Sequence, residues 1–246
     1  METPDLLQDS QYGIAASLKD LIGSRLIRAR YFILEEELLP NCRHGQWHSY
    51  IDFGELVTDK GAVYCFYQIF DFAGAPFHTL AMTPLSHYVP NRSRGVFMTR
   101  DIASIDMSAL GTWSAYIGSS IVEVTLGWWD DDWPIRLPNP PLHKAVMWIQ
   151  ILFDNDLQVL ICSGDIHSRE STYKGSEKPL YFKVDEDKNG DSIYFSYEPE
   201  DMCLIFDSGI AEIVMERSRQ WPSSKGEFTK ISADGCRDGV FHTHDD

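Results

Sequence analysis

Two stretches of the chain share one pattern of residues, and this pattern decides our prediction of the fold. The first, residues 22–37, reads IGSRLIRARYFILEEE, and the second, residues 117–132, reads IGSSIVEVTLGWWDDD. Each contains a glycine that can end a helix by adopting positive φ, then an apolar run as long as a strand, then three consecutive acids. The two stretches lie 95 residues apart, which indicates a repeated unit.

The same offset aligns further residues without a gap. It superimposes His48 on His143, Ile51 on Val146, Phe53 on Trp148, Leu56 on Ile151 and Asp59 on Asp154. Between residues 21–66 and 116–161 five positions are identical, where average composition gives roughly three. Internal duplication is one interpretation. Two unrelated β-hairpin units that look alike are the other.

The composition is that of a folded and acidic protein. The 246 residues are 43% hydrophobic and 13% aromatic, which is enough apolar surface for a full core. The 37 acidic residues outnumber the 21 basic ones, so the net charge is −16 at pH 7. This charge repels phosphate backbones and anionic lipids and attracts basic proteins. We expect a basic protein as partner, without direct nucleic-acid or membrane binding; acidity that serves solubility alone is the alternative.

Cysteine spacing and the N-terminal sequence bear on the cellular compartment. The five cysteines have no CxxC spacing, and Cys65, Cys162 and Cys203 lie within apolar runs. They are predicted to be buried thiols in a reducing compartment. The N-terminal residues lack the basic and apolar regions of a signal peptide, and no apolar run approaches the roughly 18 residues that span a bilayer. We therefore expect a cytoplasmic protein.

Hydrophobic periodicity predicts an α+β protein that is predominantly antiparallel β, built from two similar lobes that are each a short helix followed by a β-meander. The first lobe is expected over residues 13–72 and the second over residues 108–215. Residues 73–107, rich in turn-forming residues, are predicted to connect the lobes, and residues 216–246 to form a polar C-terminal tail. Asn189-Gly190, between two apolar runs, predicts the clearest hairpin.

The chain carries none of the common signatures of catalytic or cofactor sites. It has no Gly-x-Ser-x-Gly, no phosphate-binding glycine-rich loop, no His-Glu-x-x-His and no dinucleotide fingerprint. Residues 185–191 match the start of an EF-hand loop, but position 12 is Ser196 where the motif needs glutamate. The cysteine and histidines at 42–48 and the histidines at 242 and 244 lack four-ligand spacing. We predict no catalytic residue, no cofactor and no metal, and we interpret residues 185–191 as an acidic hairpin tip.

The two acidic triplets, with neighbouring tryptophans, are the predicted partner-binding residues. They are Glu35, Glu36 and Glu37 after the first apolar run, and Asp130, Asp131 and Asp132 with Trp128, Trp129 and Trp133 in the second copy. Aromatic side chains among acids are typical of surfaces that bind lysine- and arginine-rich proteins. As an alternative, Trp128 and Trp129 alternate, so that one enters the core and the other covers the junction between the lobes.

In its size, acidity, acidic-aromatic clusters and lack of catalytic motifs, the chain resembles the immunity proteins of bacterial polymorphic-toxin and contact-dependent inhibition systems. The resemblance concerns general character over the whole chain and rests on no single motif. It implies a non-catalytic protein that neutralises a basic cognate toxin, such as a nuclease, by occluding its active site. Two other classes stay open: an enzyme or small-ligand-binding module with a site between the lobes, and a structural subunit of a larger assembly.

Overall fold

The computed structural model describes residues 18–34, 46–49, 51, 53–70, 78–87, 102–109, 111–130, 144–167, 181–187, 189–197, 202–219 and 227–240. The strands are β1 (Leu26–Leu34), β2 (Trp47–His48), β3 (Phe53–Thr58), β4 (Val63–Phe70), β5 (His78–Pro84), β6 (Ile102–Asp106), β7 (Ile121–Asp130), β8 (Lys144–Phe153), β9 (Gln158–Ser163), β10 (Asp165–His167), β11 (Tyr181–Glu186), β12 (Ser192–Ser196), β13 (Met202–Ile205), β14 (Glu227–Ser232) and β15 (Gly235–Val240). The helices are α1 (Gly111–Ser114) and α2 (Ser208–Arg219), with 3-10 turns at Lys19–Leu21 and Leu85–His87.

These strands form three sheets. The first has five strands in the order β5-β4-β3-β1-β6, the second has seven in the order β15-β14-β7-β8-β9-β13-β2, and the third has three in the order β10-β12-β11. Every pairing between described strands is antiparallel. The prediction of a mainly antiparallel β protein with few helices is confirmed. No helix within the described ranges is long and apolar enough to cross a membrane.

Five strands of each large sheet follow the same path. β1, β3, β4, β5 and β6 lie in the order β5-β4-β3-β1-β6, and β7, β8, β9, β13 and β14 lie in the order β13-β9-β8-β7-β14. The register also agrees at the 95-residue offset. Leu26 lies opposite Thr58 as Ile121 lies opposite Phe153, and both β1 and β7 contain an irregular residue directly after this pair.

The beginnings of β1 and β7 bind each other through hydrogen bonds that repeat at the same offset. The Gly23 amide donates to the Ile121 carbonyl at 2.7 Å, and the Gly118 amide donates to the Leu26 carbonyl at 2.7 Å. Exchanging the two halves maps one bond onto the other, so this contact has local two-fold symmetry. Gly23 and Gly118 have φ of +70° and +91°, which is the left-handed conformation that ends the preceding turn.

The two large sheets share one hydrophobic core. It contains Leu26, Tyr31 and Leu56 from the first sheet together with Ile121 and Ile149 from the second, all fully buried. In addition, β2 comes from the first half of the chain and pairs with β13 in the second sheet. The predicted lobes therefore do not have separate cores in the part of the chain that the structure describes.

The other face of the second sheet is covered by the third sheet and by α2. Leu160 and Cys203 of the second sheet pack there against Phe195 of β12 and Val214 of α2. The helix begins after Asp207, whose Oδ1 accepts a hydrogen bond from the Ile210 amide at 3.0 Å and so caps the first turn.

Two segments contribute strands where the sequence predicted a connection and a tail. β5 and β6 lie within residues 73–107 and complete the first sheet, and β14 and β15 lie within residues 216–246 and extend the second. β5 is buried on both faces at Leu80, Ala81 and Met82, whereas the sequence of β14 is polar because only one of its faces is buried. In β14, for example, Thr229 and Ile231 point inward between half-buried neighbours. The predicted boundaries of the connection and of the tail therefore differ from the observed sheets.

Candidate functional site

The structure describes three of the nine predicted partner-binding residues. Trp128, Trp129 and Asp130 lie at the end of β7, where Trp129 pairs with Ala145 and Asp130 with Lys144 of β8. The other six, Glu35, Glu36, Glu37, Asp131, Asp132 and Trp133, lie outside the described residues.

Trp128 is a core residue and does not offer a surface to a partner. Only 4% of it is exposed, and its Nε1 donates a hydrogen bond to Thr229 Oγ1 at 2.8 Å. The Thr229 hydroxyl in turn donates to Asp238 Oδ1 at 2.6 Å. Trp128 therefore attaches the C-terminal hairpin to β7. This corrects its prediction as a binding residue, because strand alternation places Val124, Leu126 and Trp128 on the same inward face of β7.

The strands that precede the two acidic triplets run away from each other. Arg25 and Ser120 form an antiparallel bridge at the beginnings of β1 and β7, so the two strands leave it in opposite directions. β1 has nine residues and β7 has ten, which corresponds to about 30 Å each at roughly 3.3 Å per residue. The strand ends at Leu34 and Asp130 therefore do not belong to one patch.

The negative charge is concentrated in the second half of the chain. Residues 111–246 contain 24 acidic and 12 basic side chains, whereas residues 1–110 contain 13 acidic and 9 basic ones. Three arginines of the first half are also paired with acids: Arg25 with Asp59 at 3.4 Å, Arg28 with Asp106 at 3.3 Å and Arg30 with Glu55 at 2.5 Å. The larger negative charge therefore lies in the second half of the sequence.

The third sheet carries a compact group of these acids at its hairpin tip. The predicted hairpin is confirmed, since β11 and β12 pair on either side of Asn189-Gly190. Asp187 Oδ1 accepts hydrogen bonds from the amides of Asn189 at 2.8 Å and Asp191 at 2.9 Å. That carboxylate therefore holds the turn. No group of three metal-binding side chains occurs in the described ranges.

The face of the third sheet that points away from the core carries three stacked rings that the sequence analysis missed. Tyr181 and Tyr194 lie parallel within 8° with ring centroids 4.9 Å apart, and His167 stacks on Tyr181 at 5.8 Å. All three are half-buried. Ile193 and Phe195 alternate with Tyr194 and point into the core, and this period-two pattern was the available signal. Aromatic rings beside acids make the third sheet, rather than Trp128, the candidate binding element.

The main polar group inside the shared core is a hydrogen-bonded chain of three side chains. Trp113 Nε1 donates to the Tyr31 hydroxyl at 2.6 Å, and that hydroxyl lies 2.8 Å from His48 Nδ1. Burial lowers the pKa of His48 from 6.5 to about 4, so its imidazole is neutral at pH 7. His48 is only 2% exposed and lies beside Phe206, with ring centroids 4.8 Å apart. This chain of hydrogen bonds connects β1, β2 and α1 inside the core.

Comparison of the chain with protein-family models, curated proteins and solved structures found no match.

Proposed function

We propose that the chain is a non-catalytic, acidic binding protein of the cytoplasm, and that it acts as an immunity protein for a basic cognate toxin. It would neutralise the toxin, for example a nuclease, by occluding the active site. The observation that carries this proposal is the charge distribution, with 24 acidic against 12 basic side chains in residues 111–246. A toxin that binds nucleic acid needs a basic surface, and an acidic protein covers such a surface by charge complementarity.

The third sheet supports the same proposal. Its hairpin tip presents Asp185, Glu186 and Asp191, and its stacked rings Tyr181 and Tyr194 lie on the same small sheet. Acids steer a basic protein during approach, and tyrosines supply contact area at low entropic cost after docking. Trp129, Asp130, Asp131, Asp132 and Trp133, together with Glu35, Glu36 and Glu37, remain proposed contacts of the partner.

The test is binding and inhibition with a toxin domain encoded beside the gene. The full chain is immobilised, and retention of the basic domain is measured at low and high salt, because a Debye length of about 10 Å at 0.1 M shrinks to about 3 Å at 1 M. We expect tight retention at low salt, weaker retention at high salt, and loss of the toxin's activity at equimolar ratio. Retention without inhibition, or no retention of any basic domain, would contradict the proposal.

A site between the lobes, as in an enzyme or small-ligand-binding module, has less support. The region between the two large sheets is filled by packed rings, including Trp113, Tyr116 and Phe206, whose centroids lie 5.2 to 5.6 Å apart. A ligand pocket needs a concave and accessible space. At these three rings the space between the sheets is occupied by the protein's own side chains.

We also propose that the two halves arose from one duplicated unit that formed two lobes. Equal strand order, equal register and two-fold related hydrogen bonds support this proposal. Gly61 and Asp156, which are equivalent at the offset of 95, both have positive φ, at +76° and +61°. We expect that a chain with a single unit, if found, forms a two-fold dimer. A single-unit chain that is stable as a monomer would contradict this origin.

A further inference from the structure

Two cysteines of the second sheet lie directly opposite each other on neighbouring strands. Cys162 of β9 faces Cys203 of β13 in an antiparallel pair. Their Sγ atoms are 3.3 Å apart, and Cys162 Sγ is also 3.9 Å from the carbonyl oxygen of Cys203. Both thiols are reduced, and both residues are buried, at 2% and 0% exposure. The two sulfur atoms are thus oriented toward each other.

The backbone at this position already has the spacing of a disulfide. Directly opposite residues in antiparallel strands have Cα atoms about 4.5 to 5.5 Å apart, and disulfides occur at Cα separations of roughly 4.4 to 6.8 Å. Closing the bond therefore needs a small rotation of the side chains and no movement of the strands.

The fold itself does not require two thiols at this position. The equivalent opposite pair in the first sheet, 95 residues earlier for Cys162, is Tyr67 with Ala81. A large and a small side chain fill the corresponding place there, and both are buried. Packing alone therefore does not explain the cysteine pair.

We propose that Cys162 and Cys203 are a redox modification site that closes to an intramolecular disulfide with a small-molecule disulfide as oxidant. One cysteine thiolate attacks a sulfur of the oxidant and forms a mixed disulfide, which releases one molecule of reduced thiol. The second cysteine thiolate then attacks the protein sulfur and releases the other. The two cysteines lose two electrons and two protons, and the oxidant gains them as two thiols.

The closed disulfide would stabilise the third sheet on the second. The chain between the two cysteines includes β10, β11 and β12, so the bond closes a loop that contains the whole third sheet. The bond reduces the number of conformations that this loop can adopt in the unfolded chain. The entropy of the unfolded state therefore falls, and the melting temperature of the protein rises. In a reducing compartment the pair stays open, and an oxidising condition closes it. This inference does not depend on the proposed binding function.

Burial determines how fast the reaction proceeds. The pair is covered by Ile210 and Val214 of α2 and by Phe195 of β12. A disulfide reagent reaches the sulfurs only after this cover opens. We expect slow oxidation of the pair in buffer and faster oxidation in a urea concentration below the unfolding transition, whereas the reaction of exposed Cys236 should depend little on urea because no cover has to open.

The experiment treats the full-length protein with oxidised glutathione, with and without low urea. The protein is then alkylated and digested without reduction, and the cross-linked peptides are identified by mass spectrometry. We expect a peptide pair joined through Cys162 and Cys203 as the main intramolecular product. Equal amounts of pairs with Cys42, Cys65 or Cys236, or no Cys162–Cys203 pair at all, would overturn the proposal.

A thermal measurement gives a second and independent readout. The oxidised protein should melt about 5–10 °C above the reduced protein, and reduction should reverse the shift. The variant Cys203→Ala should lose this redox-dependent shift, and Cys65→Ala, at an equally buried position, should keep it. If either variant fails to fold, the peptide analysis of the unmodified sequence decides. An oxidised protein with an unchanged melting temperature would overturn the stabilising role.

Discussion

His48 joins the two halves of the molecule. It belongs to β2, a short strand from the first half that pairs with Leu204 of β13 in the second sheet. Its ring meets the Tyr31 hydroxyl, which also accepts a hydrogen bond from Trp113. A buried polar chain of this kind is stabilising only while every member is paired, because an unsatisfied buried group costs about 1–3 kcal/mol.

We predict that His48 makes the protein sensitive to acid. Its pKa is lowered by burial from 6.5 to about 4, so between these values the unfolded chain binds a proton that the folded chain does not. This contribution to stability is fully present above pH 6.5 and is lost as the pH falls toward 4. The loss is about 3 kcal/mol, since one pKa unit corresponds to about 1.4 kcal/mol.

The measurement is the free energy of unfolding in urea at a series of pH values between 7 and 4. The control is His48→Asn, which keeps an acceptor near the position of Nδ1 and does not titrate in this range. We expect the variant to be less stable at pH 7 and to lose less stability on acidification. Parallel curves for the two proteins would show that His48 is not the titrating group.

At the level of strands, glycines lie opposite large aromatic rings. Gly54 faces Phe66 in the first sheet, and Gly127 faces Trp148 in the second. A Cβ atom added to Gly127 would lie 2.0 Å from the Trp148 ring, and one added to Gly54 would lie 1.9 Å from the Phe66 ring. The aromatic ring on one strand therefore packs over the backbone of the glycine on the neighbouring strand. It fills the space that the missing side chain of the glycine leaves in the sheet.

We predict that Gly127→Ala destabilises the protein by about 1–3 kcal/mol, because the buried Trp148 ring must leave its position. Gly111→Ala is the matched control, since no atom lies within 4 Å of the added Cβ at the start of α1. The control should be neutral or slightly stabilising. Urea unfolding of the three proteins measures the difference. Equal stability of the two variants would contradict the close approach of Trp148.

Local patterns in the sequence predicted the elements whose partners are close in the chain. The strand-length apolar run within residues 22–37 forms β1, and the hairpin at Asn189-Gly190 forms as expected. β14 and β15 form a hairpin of neighbouring strands that the sequence did not predict, because their polar and glycine-containing sequences carry little apolar signal. The pairing of β14 with β7, about a hundred residues earlier, has no local signal either. Trp128 is buried because Val124, Leu126 and Trp128 alternate onto the core face of β7, which agrees with the alternative that one of the two neighbouring tryptophans enters the core.

In the candidate binding region, too, the sequence predicted local features and did not predict contacts between distant residues. Composition alone predicted an acidic surface, and the position of the acidic hairpin tip followed from its turn residues. The stacking of His167 on Tyr181, and of Tyr181 on Tyr194, requires the third sheet to form, because the three rings come from three different strands. Such cross-strand contacts depend on register, which the residues of one strand do not specify.

For the whole molecule, the charge distribution predicts where a basic partner binds. Reversing Asp130, Asp131 and Asp132 to lysine should reduce the association rate at low salt by about tenfold or more, with little change in folding. The matched control reverses Glu212, Glu216 and Asp234, which are exposed on α2 and on the β14–β15 turn and change the net charge equally. Association kinetics with the cognate basic domain give the readout. Equal effects of both variants would assign the attraction to net charge and remove these three aspartates from the proposed interface.

The shared core predicts that neither half of the chain folds alone. The first sheet buries Leu26, Tyr31 and Leu56 against the second sheet, so a chain of residues 1–110 would expose one face of its sheet to water. A large apolar face in water leads to unfolding or aggregation, since burial of apolar surface contributes about 25 cal/mol per Å². The hydrogen bonds from Gly23 to Ile121 and from Gly118 to Leu26 would also be lost.

We expect residues 1–110 and residues 111–246, produced separately, to give no cooperative thermal transition by circular dichroism. When the two fragments are mixed in denaturant and refolded together, they should form a one-to-one complex that melts cooperatively. The core and the two-fold related hydrogen bonds can re-form without a covalent link between the halves. Sedimentation measures the stoichiometry of that complex. A cooperative transition in either isolated half would mean that this half folds independently. The shared core would then be an interface between two domains that are already folded, and not a core that both halves need in order to fold.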